Sequence, residues 1–240
     1  MEFKIGLAQT AKYGNAYSGD GFSSLALSAG GIAAVLADGQ GSGSAAYEAS
    51  GFCVDKAREL LRKGTNLDLL AKQVHAAFYG LDMRTASCAF TLVGVDWEAQ
   101  TLVISRNTGA PVIVMTPEYE TIYDDMVESL GVHRHTKPHV YELPLEEGMR
   151  VILYTDGVAH AGKKRFSHDA DREKYLKLIR DTTLEDVDYL AKSLLETAIS
   201  LDRGEPADDM TVAVLSCLGQ EHREISGLPP IETHSASFII

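Results

Sequence analysis

The sequence is short of cysteine, of basic residues and of long apolar runs. Cys53, Cys88 and Cys217 are its three cysteines; they stand in apolar segments, form no CxxC pair and are odd in number. That argues against a disulfide framework and leaves buried, reduced thiols in a cytosolic protein as the expectation. No stretch approaches the ~18 apolar residues of a membrane helix. Met1-Glu2-Phe3-Lys4-Ile5 carries no apolar core of signal-peptide length, so a soluble cytoplasmic protein is expected, with no membrane partner. Basic residues number 22 against 34 acidic ones, for a net charge of −12. Nucleic-acid footprints are basic, so no nucleic-acid partner is expected. The acidic balance suits a carboxylate-rich site, and solubility alone would explain it equally well.

Several motifs are missing too. Gly39-Gln40-Gly41-Ser42-Gly43-Ser44 is not GxGxxG, because Ser44 stands where the third glycine belongs. It has no lysine for a phosphate-cradling GxxxxGK[ST] loop. GxSxG and EF-hand loops are absent. What remains there is a glycine-rich turn opening a helix, whose free N–H groups could face a phosphate or simply permit tight packing.

At 240 residues the chain can build one substantial core, and its 45% hydrophobic and 23% charged composition is ordinary for a globular domain. Apolar residues alternate over Phe3–Thr10, as in a half-buried strand. Phe22–Ser28 and the continuous apolar run Ile32–Ala37 read as a strand pair joined at Gly30-Gly31. From Ser44 the period changes: Ala46, Ala49, Cys53, Ala57 and Leu60 mark one helical face, closed by Lys63-Gly64. Asn66 is the expected N-cap of a second helix with Leu67, Leu70, Val74, Ala77 and Leu81 on its apolar face. Ala86–Val95, Thr101–Arg106 and Ala110–Met115 are rich in strand formers, and Asn107-Thr108-Gly109 reads as a hairpin turn between the last two. Pro117–Pro138 is irregular, with an extended piece at Thr121-Ile122-Tyr123. Val140–Leu143 and Met149–Tyr154 are two further strands. Ala159–Asp169 reads as a loop or flap, and helices follow over Ala170–Arg180 and Leu184–Leu201. Met210–Cys217 is the last strand and 219–240 a tail. Strands and helices are segregated, which favours an α+β layered fold over alternating βαβ units.

Asp20, Asp38, Asp156 and Asp208 each stand at a strand end beside glycine or another acid. A lone Asp-Gly is usually a turn. Asp38-Gly39 and Asp156-Gly157, however, end strongly apolar strands, and neighbouring strands would bring their acids to one sheet edge. Crowded carboxylates repel unless a cation neutralises them, and hard oxygen ligands suit magnesium or manganese. His133, His135 and His139 have a spacing that could chelate; without a further soft ligand, a solvated surface explains them better.

Ser18-Gly19-Asp20, Ala37-Asp38-Gly39-Gln40-Gly41-Ser42-Gly43, Tyr154-Thr155-Asp156-Gly157-Val158 and Asp208-Asp209-Met210-Thr211-Val212 resemble the ordered motifs of metal-dependent protein serine/threonine phosphatases of the 2C type. The likeness is to their bacterial SpoIIE-like branch, and Asn107-Thr108-Gly109-Ala110-Pro111 resembles another landmark of it. The resemblance spans roughly residues 3–218, which it implies are the phosphatase domain. It implies a four-layer α-β-β-α sandwich of two antiparallel sheets flanked by helix pairs, with two manganese or magnesium ions at one end. By motif, Asp38 would bridge the ions, the Gly39 carbonyl would hold one, Asp156 and Asp208 the other, and Asp20 would contribute directly or through water. The motif favours Asp208 over Asp209. Asp38, Asp20 and Asp156 are the expected catalytic residues, serving a metal-activated water that attacks phosphorus without a covalent enzyme intermediate.

The resemblance also implies a substrate: phosphoserine or phosphothreonine of a bacterial regulatory protein, such as an anti-sigma-factor antagonist or stressosome-like domain, in sporulation or stress-response signalling. Two other readings stay open, a non-catalytic relative that binds phosphoprotein and a hydrolase of small phosphoesters. Eukaryotic members resemble one another in an arginine before the first acid that grips phosphate, which the bacterial branch often lacks; here Asn15 and, farther off, Lys12 stand nearby. Near position 160 many relatives have a glutamate where this chain has His160. Asn15 and His160 are therefore the substrate-binding candidates. In this branch the helices after the metal loop act as a switch, so an activating partner is expected at Ser44–Leu81. With no sensory domain attached, a signal would arrive from another protein, from metal or through self-association as a homodimer.

Overall fold

The protein is described by a computed structural model covering residues 1–28, 30–41, 43–81, 86–163, 169–219 and 237–239. Ser42 of the glycine-rich turn, residues 164–168 of the expected flap and most of the expected tail lie outside the described residues. In chain order the elements are β1 (Glu2–Thr10), β2 (Asp20–Ala26), β3 (Ile32–Gly39), α1 (Ser44–Arg62), α2 (Leu67–Tyr79), β4 (Cys88–Asp96), β5 (Thr101–Asn107) and β6 (Val112–Met115). They continue with β7 (Glu120–Tyr123), β8 (His139–Pro144), β9 (Arg150–Tyr154), the one-turn α3 (Asp156–Ala159), a 3-10 turn (Ala161–Lys163), α4 (Asp169–Asp181), α5 (Val187–Leu201), β10 (Met210–Leu218) and β11 (Ser237–Ile239).

Two antiparallel sheets result, one ordered β11-β1-β10-β9-β6-β7 and the other β2-β3-β4-β5-β8. The continuous apolar run of β3 is explained by the period-2 alternation of a strand buried on both faces. Ala33, Val35 and Ala37 pack against α1 and α2, while Ile32, Ala34 and Leu36 face the opposite sheet. β10 divides likewise: Met210, Val212 and Val214 meet α4 and α5, whereas Ala213, Leu215 and Cys217 face inward. Three apolar layers therefore separate four structural ones, which is the α-β-β-α sandwich.

Helix α1 buries Ala46, Ala49, Cys53, Ala57 and Leu60, as its spacing predicts, and all three cysteines are free and buried. Its end is a Schellman motif: Gly64, at φ +74°, donates to Leu61 O at 3.0 Å and Thr65 to Leu60 O at 3.1 Å. The face of α2 is rotated from the expected one. Leu67, Leu70, Ala71, Val74 and Phe78 are buried, Ala77 is only partly so and Leu81 is exposed. The aromatic ring of Phe78 takes the place expected for Ala77. Asn66 stands at the N-cap, but its side chain makes no capping hydrogen bond.

One expected hairpin is a crossover. β5 pairs with β4 and β8, whereas β6 pairs with β7 and β9 in the other sheet, so Asn107-Thr108-Gly109 carries the chain between layers. Gly109 lacks the positive φ that a tight hairpin turn demands. The segment is held instead by the buried Arg106, whose Nη2 donates to Ala110 O at 2.9 Å, and by Thr108 Oγ1, which accepts from Ala110 N at 2.9 Å. Ser237–Ile239, in the segment expected to be a tail, pairs with the edge of β1. Among the described residues no helix is long and apolar enough to cross a membrane.

Candidate active site

Four strand ends meet at one end of the sandwich. Asp20 opens β2 and Asp38 nearly closes β3, and the two are direct cross-strand partners. Asp156 follows β9 as the first residue of α3, and Asp208 and Asp209 precede β10. β9 and β10 are themselves paired, Tyr154 opposite Val212, so the two halves of the site come one from each sheet.

Asp20 ties the halves together. Its Oδ2 accepts from Thr155 Oγ1 at 2.9 Å and from Thr211 Oγ1 at 2.6 Å, both on the opposite sheet. Thr211 N donates in turn to Thr155 Oγ1 at 3.0 Å, and Gln9 Nε2 reaches Thr211 Oγ1 at 3.0 Å and the Asp20 carbonyl at 3.1 Å. The other carboxylate oxygen, Asp20 Oδ1, is buried with no hydrogen-bond partner. A buried, unpaired carboxylate oxygen is costly.

The glycines after the acids are required by close packing. A β-carbon on Gly39 would lie 2.0 Å from Ala46 O in the first turn of α1, and one on Gly157 would lie 2.1 Å from Asp209 O. The Asp-Gly pairs thus let α1 and the β10 entry close onto the strand ends.

Asp208 and Asp209 divide the work. Asp209 is buried, its Oδ1 accepting from Lys12 N and its Oδ2 from Gly19 N, each at 2.8 Å. It clamps the two ends of the loop that precedes β2. Asp208 is partly exposed, and among the described residues its carboxylate accepts only from the neighbouring Asp209 N, at 3.0 Å.

Electrostatics record the crowding. Burial, then the charges of Asp20 and Asp156, push the Asp38 carboxyl from its ordinary 3.8 up to about 9. Burial likewise raises Asp20 to about 7, against the lowering effect of the Thr211 and Thr155 hydroxyls and with the help of Asp209 and Asp156. Asp208 is raised by burial and by Asp156, while Lys12 works the other way. Such a donor set fits a hard divalent cation, which would neutralise the carboxylates and give Asp20 Oδ1 a partner. Among the described residues no three histidine, cysteine, aspartate or glutamate side chains form a closed metal cage. An ion here would complete its shell with waters and backbone oxygen, as magnesium commonly does.

Beside Asp156 opens a cleft of about 750 Å³, lined by Asp156, Ala159 and His160 together with Thr108, Gly109 and residues 124 and 126–129. Arg172 of α4 reaches it as well.

The family model described as Stage II sporulation protein E (SpoIIE) matches residues 28–218. The chain belongs to the SpoIIE family. It is 24% identical over 230 residues to stage II sporulation protein E of Bacillus subtilis (strain 168), a match covering 88% of this chain and 25% of that protein. The chain thus spans about a quarter of the length of that relative. Among solved structures, the PP2C phosphatase domain of Bacillus subtilis SpoIIE with a fragment of its regulatory domain matches with a TM-score of 0.78. Identity there is 23%, covering 90% of this chain and 62% of that one. The catalytic domain of the serine/threonine protein phosphatase PstP, in complex with two manganese ions, matches with a TM-score of 0.71 at 16% identity, covering 91% of this chain and 99% of that one. The fold is that of the PP2C-type phosphatases.

In this SpoIIE-family chain the structure brings Asp20, Asp38, Gly39, Asp156 and Asp208 to one place and puts His160 on the adjoining cleft. Asn15 is exposed in the loop before β2, donating its backbone N–H to Lys12 O, and does not line the cleft. His133 Nδ1 pairs with Glu128 Oε1 at 2.5 Å and His139 with Asp125, which agrees with a solvated surface for that segment. Sequence reasoning missed Thr155, Thr211, Gln9 and Arg172. The two threonines sit inside the quoted motifs, so the available signal was a hydroxyl beside each acid; Gln9 and Arg172 had none.

Proposed function

We propose that this chain is a manganese- or magnesium-dependent phosphatase that hydrolyses phosphoserine or phosphothreonine in a small bacterial regulatory protein of the anti-sigma-factor antagonist or stressosome-like kind. The observation that carries the reading is the meeting of Asp20, Asp38, Asp156 and Asp208 at one sandwich end, with Asp20 and Asp38 pushed so far up that they hold protons near neutral pH. That is an arrangement made for cations, on a PP2C-type fold. Asp38, the Gly39 carbonyl, Asp156 and Asp208 would hold the ions. When bound, the ions supply charge neutralisation and a more acidic water.

The chain's own part is positioning and proton handling. Thr155 and Thr211 fix Asp20 through Oδ2 and leave Oδ1 to face an ion or a water beside it. Water adds to phosphorus and the seryl or threonyl oxygen leaves with a proton. Asp209 has both oxygens on backbone amides, so Asp208 is the ligand of the pair. The phosphopeptide enters by the cleft, past His160; Asn15, exposed in the loop before β2, would meet the body of the substrate. The proposed setting is the cytoplasm. Helices α1 and α2, joined to the site through the Gly39–Ala46 contact, would receive an activating partner or a second copy.

The test is hydrolysis of an aryl phosphate and of phosphopeptides by the purified chain with manganese. Turnover should vanish on chelation and in Asp38→Asn. Undiminished turnover in chelator would overturn the mechanism, and turnover of metabolite phosphates in preference to phosphopeptides would overturn the substrate class.

A further inference from the structure

The carboxylates account for cations but not for the grip on the phosphate itself. No arginine precedes Asp20 in the sequence, and the charge of Lys12 acts on Asp208. The cleft supplies what that region lacks. Among its described lining residues Arg172 is the one arginine or lysine, and Asp156 lines the same cavity.

The position of Arg172 on α4 is unusual for a charged side chain. Tyr175, Leu176 and Ile179 are the buried face of the helix, packed against α5 and the β9–β10 strands. Arg172 lies three and four residues before the first two, on the same stripe. It is partly buried, whereas Glu173 and Lys174 beside it are exposed. A solvated arginine would belong on that exposed face. Here the stripe runs out of the apolar core into the cleft, and the residue at that point is a guanidinium.

Acids also line the cleft. Glu128 is occupied, its Oε1 by His133 and its Oε2 by the Thr136 hydroxyl at 2.5 Å, and Asp124 stands in the same wall. Among the described residues Arg172 has no ion-pair partner. An entering phosphate dianion would meet repulsion from this wall and attraction from Arg172.

We propose that Arg172 binds the phosphate group of the substrate, its planar fork taking two phosphate oxygens at the edge of the carboxylate site. This rests on the phosphatase reading and names the residue that grips the phosphate within it. Arginine suits the task because its donors match two oxygens at once, and a partly desolvated pair is stronger than an exposed one.

The experiment uses the full chain loaded with manganese, a phosphoserine peptide, inorganic phosphate, and the variants Arg172→Met and Arg172→Lys. Arg172→Met keeps much of the apolar stem. Its KM should rise about 10–100-fold, the loss expected for a hydrogen-bonded charge, with kcat changed much less. The Kd of inorganic phosphate by calorimetry should weaken by a similar factor. Arg172→Lys should recover part of both, and the melting temperature should stay within about 2 °C. KM and phosphate Kd within twofold of the parent protein would overturn the inference while the phosphatase reading stood. A parent protein that neither turns over phosphopeptide nor binds phosphate would overturn both.

Discussion

Asp20 and Asp38 face each other directly across the β2–β3 pair, one ladder position from the end of β3. Cross-strand partners hold their β-carbons ~5 Å apart on one sheet face, so like charges there are destabilising. The site is therefore strained by charge unless protons or cations occupy it. Asp38→Asn removes one of the two charges. It should lower manganese-dependent turnover by at least about 100-fold and raise the metal-free melting temperature by a few degrees. Paired activity and calorimetric melting measurements check both directions at once.

The same crowding sets a pH dependence. Folded Asp20 and Asp38 titrate at about 7 and about 9 instead of the ordinary 3.8. Between those limits the folded chain holds protons that the unfolded chain has released, so stability falls as pH rises. Chelator-treated protein should melt at progressively lower temperature from pH 5 to pH 9. In Asp38→Asn the slope should be shallower, and with manganese it should flatten, because the ions replace the protons. A metal-free melting temperature that climbs over this range would contradict the assignment.

Thr211→Val tests the anchoring of Asp20. The substitution keeps the shape and removes the 2.6 Å hydrogen bond to Asp20 Oδ2, together with the acceptor of Gln9 Nε2. A cost of about 1–3 kcal/mol in unfolding free energy is expected for the buried groups left unpaired, measured by urea titration. Turnover should fall as well, because Asp20 Oδ2 loses one of its two hydroxyl donors.

Gly39→Ala tests the joint between β3 and α1. Its β-carbon would collide with Ala46 O, so α1 must shift. Manganese affinity, read by calorimetry, should weaken about 10–100-fold as the Gly39 carbonyl is displaced.

Much of this was legible in the sequence because the chain is locally consistent. The apolar run of β3 marks a strand covered on both faces and the alanine-cysteine-leucine stripe of α1 a helix covered on one, and both pack as their periods require. The four acids were legible as strand ends. What stayed hidden depends on contacts between distant residues. The hairpin expected at Asn107–Gly109 is a crossover because β5 takes β8 as a partner and β6 takes β9, both strands that come much later in the chain. The rotated face of α2 follows from Phe78 reaching the core. The division of labour between Asp208 and Asp209 rests on amides of Lys12 and Gly19, nearly two hundred residues away. The hydroxyl anchors of Asp20 arise only once the two sheets are stacked.

The central claim is that the carboxylates at the sandwich end exist to hold divalent cations. Calorimetric titration of manganese into the purified chain at pH 7.5 tests it most directly. The account predicts two bound ions in the parent protein and loss of the bridging mode, with at most one weak ion, in Asp38→Asn. Absence of binding in the parent protein, or two ions held unchanged by Asp38→Asn, would contradict it.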